Sequence, residues 1–162
     1  MGCSMITINV VAVGSLKENY LVNACKEYEK RLQPFVKLFI TEVKESMLEQ
    51  NASEQEIIRA KEKEAEIIKQ KIKGFSICLE IEGQTFSSED FSKKIETLTT
   101  SGVSEFTFII GGSNGLDKNL SNNCNMKLSF SKFTFPHQLM RVILLEQIYR
   151  AMCIINNKTY HK

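Results

Sequence analysis

Apolar runs of strand character alternate along this chain with segments whose apolar residues recur at helical spacing, and that alternation limits the possible folds more than any other feature. Ile6, Ile8, Val10, Val11 and Val13, closed by Gly14, form the first run. "LKENYLVNACKEYEKRL" then places Leu21, Ala24, Cys25, Tyr28 and Leu32 on one helical face until Pro34 stops it. "VKLFITEV" alternates as a second strand. From Ser53 a charged helix opens on a Ser-x-x-Glu capping box completed by Glu56, carries Ile57, Ile58, Ala65, Ile68 and Ile72 on one face, and ends at Gly74. "FSICLEIEG" reads as a third strand, Ser87 or Ser88 opens a helix through Leu98, and "EFTFIIGG" is a fourth strand. The first half of "MKLSFSKFTF" is a fifth, and Pro136 begins a long last helix. This order predicts an α/β layer structure with a largely parallel sheet. Ser121 to Asn125, "SNNCN", is poor in helix formers, and no element is assigned between the fourth strand's glycines and the fifth strand.

A chain of 162 residues, 43% hydrophobic, can bury one core and is short for two. The net charge of +2 hides an asymmetry: residues 127–162 hold six basic side chains against one acid, and the first 126 residues hold 15 basic and 18 acidic. A polyanion such as RNA would find its positive field at the C-terminal end. The five cysteines form no C-x-x-C pair and have no histidine at metal-ligand spacing, so buried free thiols in a reducing cytosol are expected, with no metal. "MGCSMITINV" lacks the layout of a secretory signal. The last helix, "PHQLMRVILLEQIYRAMCII", is apolar on nearly every side and must be buried on most of them. Arg141, Glu146, Gln147 and Arg150 argue against a membrane span, which leaves burial between this chain's sheet and a second copy, hence a homodimer.

In α/β proteins ligands sit beyond the C-terminal ends of the strands, where "CLEIEG", "IIGGSNG" and "SFSKFTF" fall. The glycine loop has neither the Gly-Lys-Ser/Thr of a nucleoside-triphosphate loop nor dinucleotide spacing. On spacing alone a tight structural turn and a ligand loop are equally good readings of Gly111, Gly112 and Gly115. "FIIGGSNG", "LSFSKFTFPHQLMRVILLEQIYRA" and the terminal "YHK", with "AVGSLKENY" and "EYEKRL", resemble the RlmH-type ribosomal RNA large-subunit methyltransferases of the knotted SPOUT class. The likeness covers residues 5–162, and Met1 to Ser4 read as an alternative start or a cloning remnant.

The resemblance implies a single-domain α/β knot, with a mostly parallel sheet flanked by helices and a C-terminal trefoil knot. It implies a cytoplasmic homodimer that methylates N3 of a pseudouridine in 23S ribosomal RNA on assembled ribosomes, with S-adenosylmethionine as donor. Carried over by motif, the cofactor residues are Leu79, Gly111, Phe130, Ser131, Lys132, Phe133, Thr134 and Phe135. The residues themselves offer a glycine for close backbone approach and apolar surface for an adenine ring. An imide N3–H must lose its proton before it can attack, so a base or a stabiliser of the anion is needed. His137, Arg141 and His161 are the candidates, with Tyr160 beside them. Arg150, Lys158, Tyr160, His161 and Lys162 mix cations with an aromatic and suit an unpaired base and its phosphates. In the family likeness this tail faces the partner subunit's cofactor.

Overall fold

The computed structural model describes residues 5–160; Met1 to Ser4, His161 and Lys162, all of which carry expectations above, lie outside it. Among the described residues five strands and five helices follow one another: β1 (Ile6–Val13), α1 (Asn19–Leu32), β2 (Val36–Val43), α2 (Glu54–Lys69), β3 (Phe75–Thr85), α3 (Ser88–Thr100), β4 (Glu105–Ile110), α4 (Lys118–Asn123), β5 (Met126–Ser129) and α5 (His137–Ile155). The strands form one sheet in the order β2-β1-β4-β3-β5, and every pairing is parallel. The chain leaves β4 and passes over β3 to reach β5, so the ends of these three strands lie side by side.

Strand periodicity sorts the core into two layers. Ile8, Val10, Phe106, Phe108 and Ile77 point to one face, where Leu144, Leu145 and Ile148 of α5 meet Cys25 and Leu32 of α1 and Phe91 and Ile95 of α3. Val11, Val13 and Ile109 point to the other, against Ala65 and Ile68 of α2 and Leu120 of α4. Each of the large buried side chains contributes about 1.5–3 kcal/mol. Helices therefore cover both faces, as an all-parallel sheet requires.

Local signals set several of the boundaries. Ser53 caps α2 with a complete capping box: its hydroxyl accepts from the Glu56 amide at 3.2 Å while Glu56 accepts from the Ser53 amide at 2.6 Å. Ser53→Ala is expected to cost about 1 kcal/mol, read as a lowered midpoint in urea with an unchanged slope. The α2 helix stops at Lys69, before Gly74, which has a φ of 69° and leads directly into β3.

Two sequence expectations need correction. The unassigned link holds a short helix, α4, despite its weak formers. Asp117 caps it by accepting from the Leu120 amide at 3.0 Å, and burial of Leu120 and Ser121 supplies what propensity lacks. Nor are all the cysteines free thiols, because Cys78 of β3 is joined to Cys124 by a disulfide, while Cys25 and Cys153 remain free and buried. The pairing spans 46 residues and arises only when the chain returns past β3, so no short-range spacing signals it. Burial pushes the Cys25 thiol up to about 11, against a weaker opposing effect of Arg141. Iodoacetamide at pH 8 is expected to leave Cys25 unmodified until the protein is unfolded, checked by peptide mapping.

Candidate active site at the strand ends

A cavity of about 590 Å³ opens beyond the ends of β3, β4 and β5. Its first wall comes from an irregularity in β3: Leu79 and Gln84 both register with Leu128, so the residues between them leave the ladder. Bulges of this kind re-aim side chains beside sites. Leu79, Glu80 and Ile81 line the cavity here, and Glu80 is the only carboxylate among the described lining residues.

The second wall is the glycine loop after β4. A Cβ on Gly111 would stand 2.8 Å from the Gly115 carbonyl carbon and 3.0 Å from the Leu116 nitrogen, both backbone. Within the chain, what Gly111 approaches is thus its own loop, and the residue also lines the cavity. Gly112 accommodates a side chain instead, for its Cβ would lie 2.7 Å from Glu45 Oε1. Gly115 has a φ of 79° and closes the turn, donating its amide to the Gly112 carbonyl at 3.0 Å.

The third wall is the segment between β5 and α5. Phe130, Ser131, Phe133, Thr134 and Phe135 line the cavity. The Ser131 hydroxyl accepts from the Phe133 amide at 3.0 Å, and the Ser131 carbonyl accepts from the Ser129 hydroxyl at 3.1 Å, which folds the segment back on itself. Phe133 remains 78% exposed at the rim. Of the eight cofactor residues expected from sequence, seven line this one cavity and the exposed Lys132 does not.

The expected catalytic residues separate. His137, at the start of α5, lines the cavity. Arg141, one turn on, is buried away from it. Its guanidinium donates to Glu42 at 2.8 Å and to the Gly14 carbonyl at 3.1 Å, which holds the turn after β1 beside His137. The C-terminal residues gather at the far end of α5. There Arg150 pairs with Glu146 at 2.7 Å and lies 4.8 Å from the Tyr160 ring centroid. Tyr160 donates to Glu146 at 3.1 Å and meets Tyr149 edge-on at 4.7 Å. Burial and this neighbourhood push the Tyr160 phenol up to about 12, so it stays a protonated donor at neutral pH. Lys158 is exposed.

The family model described as predicted SPOUT methyltransferase matches residues 6–161. The chain belongs to that family. A curated relative, the ribosomal RNA large subunit methyltransferase H of Natranaerobius thermophilus, is 52% identical over 154 residues, 94% of this chain and 97% of its own. Among solved structures, a Bordetella pertussis protein described as a probable methyltransferase superposes with a TM-score of 0.56 at 8% identity, over 91% of this chain and 96% of its own. A Legionella pneumophila protein described as a methyltransferase, with the cofactor SAM bound, gives 0.52 at 11%, over 90% of this chain and 66% of its own. Both likenesses concern the fold alone.

For this SPOUT methyltransferase, sequence reasoning missed Ile110, Leu116, Leu128 and Met140 as lining residues, because as apolar side chains they look like core. Glu80 and Ile81 stood inside the quoted "CLEIEG" without being singled out. Among the described residues no helix is long and apolar enough to cross a membrane.

Proposed function

We propose that this chain transfers the methyl group of S-adenosylmethionine to N3 of a pseudouridine in 23S ribosomal RNA, on assembled ribosomes in the cytoplasm, as a homodimer whose C-terminal segment is threaded as a trefoil knot. The observation that carries the reading is the convergence of seven motif residues from three separate segments on one cavity, in a chain half identical to a named ribosomal RNA methyltransferase.

The residues present fit the donor. Leu79, Ile81, Phe130, Phe133 and Phe135 give apolar surface for an adenine, beside loop backbone that can read its edge. Glu80 gives the cavity wall a carboxylate, a charge that would complement a sulfonium. When bound, the cofactor supplies an electrophilic methyl group. The protein's work is then to orient the acceptor and to accept or offset the N3 proton. His137 is the one imidazole among the described residues and stands on the cavity wall, so it is assigned to the proton or to the carbonyl beside it. Arg141 holds the turn next to His137 rather than touching the acceptor.

Support for the dimer comes from α5. Leu139, Ile143 and Ile154 of this helix are apolar yet not fully buried within the chain. The helix has 19 residues, a length of about 28 Å, and it separates the cavity at its start from the tail at its end. A chain's own tail is thus remote from its own cavity. Two such helices packed antiparallel would bring Arg150, Lys158 and Tyr160, followed by His161 and Lys162, to the partner's cavity.

The test is label transfer from S-adenosylmethionine to ribosomes taken from a strain lacking this activity. Incorporation into 23S RNA at a pseudouridine is expected, and none into ribosomes lacking that pseudouridine. No incorporation, with no calorimetric heat for S-adenosylhomocysteine, would sink the reading and favour a non-enzymatic ribosome-binding module.

A further inference from the structure

One carboxylate outside the cavity makes contacts that the assigned chemistry does not use. Glu45 lies on the loop between β2 and α2, and its Oε1 accepts from both the amide of Ser113, at 3.0 Å, and the Ser113 hydroxyl, at 2.7 Å. Ser113 is the residue after the glycine pair and itself lines the cavity. The same oxygen occupies the space that a side chain on residue 112 would fill, so glycine there makes room for the carboxylate. We propose that Glu45 is a positioning residue for the cofactor cavity, fastening the glycine loop to the ends of β1 and β2 by these two hydrogen bonds.

The fastening is itself braced. Ser46, next in the chain, donates its amide to Glu64 Oε1 at 2.9 Å and its hydroxyl to the Ala60 carbonyl at 3.3 Å. Glu64 is only 7% exposed within α2, so the loop that carries Glu45 is held by a rigid element. Contacts therefore run without a break from α2 through Ser46 and Glu45 to Ser113. The second oxygen of Glu45 is also placed with purpose. A Cβ on Gly14 would stand 3.6 Å from Glu45 Oε2 and 3.5 Å from His137 Nε2, so both side chains close on the same turn. Burial alone would raise the Glu45 carboxyl, yet the bonds from Ser113 and the charges of His137 and Lys17 hold it below the usual carboxylate range. Glu45 is thus an anion, the stronger acceptor for a loop amide.

A positioning role rests on the cavity being the cofactor site, and two measurements separate the claims. Hydrogen exchange of the Ser113, Asn114 and Gly115 amides reads the loop alone; calorimetry with S-adenosylhomocysteine reads the cavity. Glu45→Ala is expected to speed those amides and to weaken binding, each by about tenfold. Glu45→Gln keeps an acceptor oxygen for Ser113 and is expected to stay within about threefold of wild type in both. Unchanged exchange in Glu45→Ala would overturn the proposal, and so would Glu45→Gln proving as impaired as Glu45→Ala. Faster exchange in Glu45→Ala with unchanged affinity would also overturn it, since the loop would be fastened without serving the cavity. If the wild-type protein bound no S-adenosylhomocysteine, the functional reading would fall, and the exchange rates would still decide whether Glu45 holds the loop.

Discussion

Gly111→Val is expected to weaken cofactor binding severely while leaving the protein folded. The contacts a side chain would meet at residue 111 are the carbonyl carbon of Gly115 at 2.8 Å and the nitrogen of Leu116 at 3.0 Å, and neither can swing aside as a flexible side chain could. The loop must open to admit the isopropyl group, and the loop is one wall of the cavity. Overpacking of this kind costs about 1–3 kcal/mol. Spent on the bound conformation, that corresponds to a fall in S-adenosylhomocysteine affinity of roughly 10- to 100-fold. Gly115→Ala is the instructive partner: its Cβ would meet nothing within 4 Å, so only the φ of 79° resists it. That strain costs about 1 kcal/mol, and calorimetry should rank the two variants clearly. Equal effects would mean that the crowding at residue 111 is not what shapes the pocket.

Removal of residues 160–162 is expected to reduce methylation of ribosomes by at least about a hundredfold, the scale on which misplaced reactants slow a reaction. Affinity for S-adenosylhomocysteine should hardly change, because Tyr160 packs beyond the opposite end of α5 from the chain's own cavity. Loss of the edge-on contact with Tyr149 also removes about 0.5–1.5 kcal/mol, so a small drop in the thermal midpoint accompanies the loss. A large drop in calorimetric affinity would contradict the assignment of the tail to the acceptor side. Mixing the truncated chain with one carrying Gly111→Val sharpens the result. If each cavity is served by the other subunit's tail, mixed dimers hold one intact cavity facing one intact tail, and activity should return in part.

Much of this architecture was legible in the residues. The bounds of β1 and β2 and the cap of α2 follow from alternation and from Ser53 with Glu56, signals that act within a few residues. Seven cavity residues were legible too, but through the specificity of "GGSNG" with "SFSKFTF" rather than from physics, since phenylalanines beside a strand end look like core. What escaped depends on distant chain. The α4 helix needed the burial of Leu120 against the far side of the sheet to offset its asparagines. The Cys78–Cys124 pair needed β5 to lie beside β3. Glu45 sits in "KESMLEQ", where nothing distinguishes one acid from the next, and its partner is 68 residues away. Arg141 was expected one turn beyond His137, but its partners within the chain, Glu42 and the Gly14 carbonyl, come from strand ends that no helical spacing reveals.

The demand for a missing side chain at residues 111 and 112 originates inside the polypeptide, from Gly115 and Leu116 in one case and from Val13 and Glu45 in the other. A descendant that had shed its chemistry but kept this loop would still be held to glycine at both places. Those two letters therefore report that the loop is intact and say nothing by themselves about turnover. On the proposed reading, the informative positions for whether a given copy still works are the ones the loop could do without, such as Glu80 on the facing wall and His137 at the mouth of the last helix.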